Sequence, residues 1–305
     1  VLDGLGLAAR LQDDITARTK RLFDATGHRP GLAVVLVGTR PDSVSYVKKK
    51  TTVAEACGFN SIAHDLPETT TQEELLELMA SLDEDDSVDG ILVQLPLPSH
   101  ISQRAALSAV SPEKDVDGFH PLSMGRLARH GEDMRRNGLE DFEELRGSLP
   151  CTPSGCIALL EDAHIPIASK HAVVIGHSNI VGLPMALMLL HKNATVTTLH
   201  ADSDQDELPD IVRLADIVVV AVGIPEFVKG SWLKPGAVVI DVGINFKDDP
   251  TRKSGRRMCG DVEWDTAEPV VSRISPVPGG VGPMTVIMLM QNVLDNACKK
   301  FGEPL

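Results

Sequence analysis

Apolar positions along this chain switch between a helical and a strand period. Leu7, Leu11, Ile15 and Leu22 recur at helical spacing and predict an N-terminal helix. A continuous apolar run at 31–38, bounded by Gly31 and Gly38, predicts a buried strand. Residues 43–57 predict a helix closed by Gly58, and 61–66 a weaker strand. A helix with an acidic face follows at 71–82, then a strand at 90–94 stopped by Pro96 and Pro98. The second half restarts the pattern, with strands at 171–175, 194–199, 216–222 and 237–242 and a helix at 182–190. A long apolar helix closes the chain at 283–300, with Pro283 at its start. Strands alternating with helices predict an α/β fold built on parallel sheets, the second of them Rossmann-type. The charged stretch at 130–146 reads as a surface loop with a short helix.

Composition sharpens this picture. Hydrophobic residues make up 43% of the chain but aromatics only 3%, so the core rests on Val, Leu, Ile and Ala, as parallel α/β sheets do. A formal charge of −14 argues against an extended phosphate-binding surface, so nucleic acid is not an expected partner. No apolar run reaches the roughly 18 residues of a membrane span, and no membrane association is expected. Cys57, Cys151, Cys156, Cys259 and Cys298 are widely spaced and odd in number, without a CxxC. They suggest neither a disulfide framework nor a zinc site, so no metal is expected. A reducing compartment fits, and the cytoplasm is the expected location, with the mitochondrion left open.

Three glycine clusters compete as a nucleotide turn. Gly4-Leu5-Gly6-Leu7-Ala8-Ala9 matches GxGxxA but follows no strand, which rejects it. Gly279-Gly280-Val281-Gly282 precedes a helix without an apolar strand leading in. Only the segment from Gly176 to Gly182 joins a strand directly to a helix, where backbone amides and the helix N-terminus attract phosphate. An ordinary strand-to-helix turn is the bland alternative. The second strand ends in His200-Ala201-Asp202; an acidic residue there would favour NAD, and a 2′-phosphate faced by His177 is the other option.

Lys48, Lys49 and Lys50 look like a solvated charge run. Successive helical residues point about 100° apart, however, so the three lysines cannot share one environment. Lys50 stands four residues after Tyr46, on a face continued by apolar Val53 and Cys57, and that face is expected to be buried. A lysine at such a place could lose basicity through desolvation and accept a proton. Gln94 ends an apolar strand at the position where open α/β sheets bind ligands. Asp115 and Asp117 offer too few oxygens in series for calcium; recognition of an aminopyrimidine edge is another reading.

Several segments in order resemble one family over nearly the whole chain. They are Ser45-Tyr46-Val47-Lys48-Lys49-Lys50, Gly90-Ile91-Leu92-Val93-Gln94-Leu95-Pro96-Leu97, and the stretch from Pro112 to Gly118. The others are Pro150 to Gly155, Asp241-Val242-Gly243-Ile244-Asn245, and Pro276 to Thr285. Together they resemble the methylenetetrahydrofolate dehydrogenase/cyclohydrolase family. The resemblance implies two α/β domains around a cleft: a folate-binding catalytic domain over 1–149 and 283–305, and a dinucleotide-binding domain over 150–282. It implies NADP-dependent oxidation of 5,10-methylenetetrahydrofolate, then hydrolysis of the methenyl product to 10-formyltetrahydrofolate. Tetrahydrofolate derivatives are the implied ligands, NADP the cofactor with NAD as the second option, and a homodimer the implied assembly.

Residue by residue, the resemblance makes Lys50 catalytic, with Tyr46 stacking and Gln94 assisting. Substrate contacts would also come from Val47, Lys48, Lys49, Val93, Leu95, Asp117, Pro276, Val277, Pro278, Gly279 and Gly280. Nucleotide contacts would come from Thr152, Gly176, His177, Ser178, Ile244 and Thr285. The family commonly carries Arg where this chain has His177, and Ser where it has Ala201; it is also shorter at 129–149. Alternatives are a monofunctional NAD-dependent dehydrogenase, a small-acid dehydrogenase of similar build, and a non-catalytic folate- or nucleotide-binding regulator.

Overall fold

The computed structural model describes residues 1–129, 148–252 and 255–303; the loop expected at 130–146 lies outside the described residues. The chain divides into two compact units. The first consists mainly of Ala9–Arg126 with Val286–Leu305, and the second mainly of Thr152–Thr285 with Val1–Ala8.

In the first unit, β1 (Gly31–Val37) is central between β2 (Asn60–Leu66) and β3 (Gly90–Val93), and both pairings are parallel. All seven residues of β1 are buried, which is why it reads as an unbroken apolar run. The helix α3 (Gln72–Glu84) starts on a capping box: Thr71 accepts from the Glu74 amide, and Glu74 reaches back to the Thr71 amide. Its buried Leu75, Met79 and Leu82 follow helical spacing and pack with Ala33, Val35, Ile91 and Val93 of the sheet. The helix α2 (Pro41–Ala56) has Pro41 in its first turn and is closed by Gly58 at φ +83°.

The face of α2 differs from the one expected. Ser43, Val47, Lys50 and Ala54 are its buried residues, with Cys57 just beyond. Tyr46 and Val53 are only half-buried on the flank. A helix turns 100° per residue, so the stripe through 43, 47, 50 and 54 is the one that faces the sheet.

The second unit carries five parallel strands: β4 (His171–Ile175), β5 (Thr195–Leu199), β6 (Ile217–Val220), β7 (Val238–Asp241) and β10 (Arg273–Ile274). Their order is β10-β7-β6-β4-β5, so the sheet reverses direction of winding between β4 and β6. Open α/β sheets bind ligands beyond the strand ends at such a reversal. The two-residue β10 was too short for periodicity to reveal. An antiparallel pair, β8 (Asn245–Asp248) with β9 (Arg256–Cys259), forms a separate small sheet. Among the described residues no helix is long and apolar enough to cross a membrane.

The units depart from the expected domain bounds at Val1–Ala8, from Leu127 onward, and by two or three residues at the junctions near 150 and 285. Val1–Ala8 group with the second unit, because Leu2 N donates to Ile274 O at 2.9 Å and Leu5 N to Gly279 O at 3.0 Å. The rejected GxGxxA segment is the start of the helix Gly4–Thr26, where Asp3 caps the Gly6 amide at 2.9 Å.

Candidate functional site

In the first unit the helix α2 and the end of β3 bring together Lys50 and Gln94. Lys50 is 9% exposed, and its Nζ donates to Gln94 Oε1 at 3.1 Å. Gln94 Nε2 donates to Leu95 O at 2.8 Å, which fixes the amide so that its oxygen faces the lysine. Val47 and Val93 are buried beside this pair in sequence, Leu95 is half-buried, and Lys48 and Lys49 are exposed. Half-buried Tyr46 has its phenol pushed up by desolvation and by the Asp42 charge.

The third member comes from a segment that runs beside β3. Ile91 N donates to Lys114 O at 2.8 Å, and Ile91 bridges Asp115 in parallel, so the chain from 115 to 117 continues toward the same end as Gln94. Asn292 Nδ2 pins this segment, donating to Val116 O at 2.8 Å and to Leu149 O at 2.9 Å. The two aspartates then separate by environment. Asp115 accepts from the Phe119 amide at 3.1 Å, the His120 amide at 2.8 Å and the Ser123 hydroxyl at 2.9 Å, so its carboxylate staples the loop.

Asp117 accepts no hydrogen bond from any described residue, and the residue keeps some contact with solvent. Burial pushes its carboxyl up to about 6, against the pull of the Lys50 charge and with the help of Asp115. A carboxylate with vacant lone pairs beside an ammonium suits a ligand that brings several N–H donors.

In the second unit the turn after β4 is built by close backbone approach. Gly176 has φ +132°, and a Cβ there would lie 2.2 Å from Ala221 O; one on Gly182 would lie 2.1 Å from Gly176 O. Ser178 Oγ accepts from the Val181 amide at 3.2 Å and the Gly182 amide at 3.4 Å. Those amides, expected to serve a phosphate, are therefore occupied, and the hydroxyl proton of exposed Ser178 becomes a donor instead.

Exposed His177 meets His200, their ring centroids 4.6 Å apart at 43°. His200 escaped the sequence reading as a site residue. The signal was present: β4 and β5 pair in parallel with Ile175 opposite Leu199, so the residues just after each strand are neighbours.

The remaining expected residues also fall in this unit. Thr152 and Thr285 hydrogen-bond through their hydroxyls at 3.0 Å. Ile244 is 42% exposed. Pro276 to Gly280 form a turn closed by Gly280 N to Pro276 O at 2.8 Å, with Val277 half-buried and Gly279 next to exposed Leu5. No cluster of three or more His, Cys, Asp or Glu that could hold a metal occurs among the described residues.

Two family models match: the catalytic domain of tetrahydrofolate dehydrogenase/cyclohydrolase over residues 2–117, and its NAD(P)-binding domain over 150–301. The chain belongs to the tetrahydrofolate dehydrogenase/cyclohydrolase family. Among its relatives, bifunctional protein FolD of Brucella anthropi is 49% identical over 304 residues, covering 99% of this chain and 97% of the relative. Chloroplastic bifunctional protein FolD 4 of Arabidopsis thaliana is 48% identical, covering 97% of this chain and 79% of the relative. A solved structure of the Trypanosoma brucei methylenetetrahydrofolate dehydrogenase-cyclohydrolase, complexed with NADP cofactor and inhibitor, superposes with a TM-score of 0.91. It is 40% identical and covers 99% of this chain and 98% of its own.

The charge relation between Lys50 and Asp117 can be tested without ligand. Lys50→Met removes the positive charge that lowers the Asp117 carboxyl, so that carboxyl should titrate above its value of about 6. A carbon-detected NMR titration of Asp117 reads this directly; an unchanged midpoint would mean the two groups do not sense each other.

Proposed function

We infer that this family member oxidises 5,10-methylenetetrahydrofolate to the methenyl cation with NADP and hydrolyses that cation to 10-formyltetrahydrofolate. The observation that carries this reading is the Lys50–Gln94 contact of 3.1 Å at the end of β3, with Asp117 unpartnered among the described residues close by. NADP, when bound, supplies the hydride acceptor. The Gly176–Gly182 turn suits it, because that turn has no room for side chains at its two glycines and presents the Ser178 hydroxyl.

Within the first unit the division of labour follows from hydrogen-bonding capacity. Asp117 accepts from the amino and ring N–H donors of the pterin, and Tyr46 stacks on its face. Gln94 accepts from Lys50 and holds its amino group in place. As the neutral amine, Lys50 takes a proton from the water that attacks the one-carbon bridge. As the ammonium, it returns that proton to the ring nitrogen that departs on opening, and the remaining hydroxyl proton goes to solvent as the formyl carbonyl forms. The methenyl carbon is already electrophilic, and opening of its ring gives the formyl product. Val47, Val93 and Leu95 complete the substrate contacts of this unit; Thr152, Ile244 and Thr285 join the nucleotide set of the second unit. A single optical assay tests the whole reading: with methylenetetrahydrofolate and NADP, reduced nucleotide should form while methenyl absorbance stays low. Build-up of methenyl absorbance would remove the hydrolase half, and no reduced nucleotide would remove the dehydrogenase half.

We further propose a homodimer in the cytoplasm. The free edge of β2 supports the assembly: among the described residues β2 pairs with β1 alone, and Ile62 is 46% exposed. Sedimentation velocity reads the mass.

Lys50→Met should abolish methenyl hydrolysis while NADP still binds, whereas Lys48→Met and Lys49→Met should do little, because those side chains are exposed. Hydrolysis by Lys50→Met at the wild-type rate would remove Lys50 from the chemistry.

Asp117→Ala should weaken folate binding by about ten- to a hundred-fold, the usual worth of a buried charge-assisted hydrogen bond. Asp115→Ala should instead lower thermal stability by releasing the loop it staples. The ionised Asp117 is the accepting form, so folate affinity should fall as pH drops through about 6. Calorimetry across that range should show the step in the wild type and lose it in Asp117→Asn.

His177→Arg should tighten NADP binding more than NAD binding, since a guanidinium keeps its charge and offers a bidentate fork to a 2′-phosphate. Equal effects on the two nucleotides would show that position 177 does not read the phosphate.

A further inference from the structure

Beyond the end of the second sheet lie two buried carboxylates that the chemistry above does not use. Asp261 is 0% exposed and Asp241 4%. Asp261 Oδ2 accepts from the Val222 amide at 2.7 Å and the Gly223 amide at 2.9 Å, and its Oδ1 accepts from Asn245 Nδ2 at 2.8 Å. Asp241 Oδ1 accepts from the Gly243 amide at 3.0 Å and the Asp261 amide at 2.9 Å, and its Oδ2 from the Val262 amide at 2.9 Å. Asp241 N donates to Ser275 Oγ at 2.8 Å, and that hydroxyl donates back to Asp241 O at 3.3 Å. Backbone amides and one side-chain amide are thus the donors that hold the pair.

Space is as tight as the bonding. A Cβ on Gly260 would stand 1.8 Å from Asp241 Oδ2, and one on Gly243 would stand 2.2 Å from Asp261 Oδ1. The loops after β6, β7 and β9, and the segment after β10, are thereby tied to one another. Burying two carboxyl groups this way is costly, and apolar packing would have stabilised the core more cheaply. The arrangement makes sense if loop geometry matters more than stability. Gly243 and Asn245, each bonded to one of the carboxylates, flank exposed Ile244. The Val222 and Gly223 amides follow β6, the strand next to the one that leads into the Gly176 turn.

We propose that Asp241 and Asp261, with Asn245, are positioning residues that hold Ile244 and the Val222–Gly223 segment in the register required for nucleotide binding. This rests on the dehydrogenase reading and goes beyond it: the pair touches neither substrate nor nucleotide, and acts through the backbone. Methenyl hydrolysis needs no nucleotide, so it serves as an internal control.

The test compares wild type, Asn245→Asp, Asp261→Asn and the double exchange Asp261→Asn/Asn245→Asp. In Asn245→Asp two carboxylates face each other, and the KM and the directly titrated Kd for NADP should both rise at least about tenfold. Hydrolysis should stay within about twofold of wild type, and kcat for the dehydrogenase should change less than KM. In the double exchange the carboxamide now at position 261 donates to the carboxylate now at position 245, and its oxygen still accepts from the Val222 and Gly223 amides. The NADP constants should then return to within about threefold of wild type. Asp261→Asn alone should be mild, because the Asn245 amide can flip to accept.

A milder variant, Asn245→Ala, covers the case in which Asn245→Asp does not fold; it should raise the NADP Kd about threefold with hydrolysis unchanged. Unchanged NADP constants in the Asn245 variants, no recovery in the double exchange, or parallel loss of hydrolysis and dehydrogenation would each overturn the proposal. A wild type that binds NADP but oxidises no methylenetetrahydrofolate would instead sink the dehydrogenase reading. The titrated Kd would still judge the clamp.

Discussion

An ammonium group on the buried face of a helix needs an acceptor, and for Lys50 that acceptor is the side-chain oxygen of Gln94. Much of the first unit follows from making this contact possible. Gln94 has to sit at the end of β3, so the strand must stop there, and its amide must be held by Leu95 O so that oxygen rather than nitrogen meets the lysine. The helix α2 must present the stripe through Val47, Lys50 and Ala54 to the sheet, which turns Lys48 and Lys49 into solvent. A hydrophobic residue at 50 would pack more cheaply, so the lysine is held at some cost to stability.

The second unit obeys a related constraint with different groups. Parallel strands all finish on one side of their sheet, so side chains and amides just past the ends of β4, β5, β6 and β7 gather there. The Gly176 turn, His177, His200, the Val222 amide and Ile244 are all of this kind. Keeping several loops in mutual register is then a problem in itself, because beyond a short bridge between Val228 and Val262 the described loops have no ladder to order them. Asp241 and Asp261 act as substitutes for that ladder, accepting backbone N–H groups as a neighbouring strand would.

What could be read from the sequence follows from how far each interaction reaches along the chain. The runs that became β1, β3, β4, β6 and β7 were legible because burial on both faces leaves an unbroken apolar signature. Lys50 was separable from its neighbours by helical geometry alone. The flank position of Tyr46 was not, because half-buried Val53 gave that flank apolar weight, and only packing against the sheet decides which side is buried. Two-residue β10 and the β8–β9 pair lacked the length that periodicity needs. His200 and Asp261 depend on pairing between segments 23 and 20 residues from His177 and Asp241, as the numbering in the sequence shows. A single sequence does not display such distant pairing.

Asp115 and Asp117 show the same limit at its smallest scale. They stand two residues apart in one loop, carry the same charge, and are chemically identical as letters. Folding assigns Asp115 three donors and leaves Asp117 with none from the described residues. The first is thereby committed to structure, and its loop cannot move without breaking charge-assisted bonds. The second is pushed up to about 6 by burial, against the pull of the Lys50 charge. The hydrogen-bond inventory of this loop is therefore unfinished at Asp117 among the described residues, and the stapled neighbour keeps that group in place.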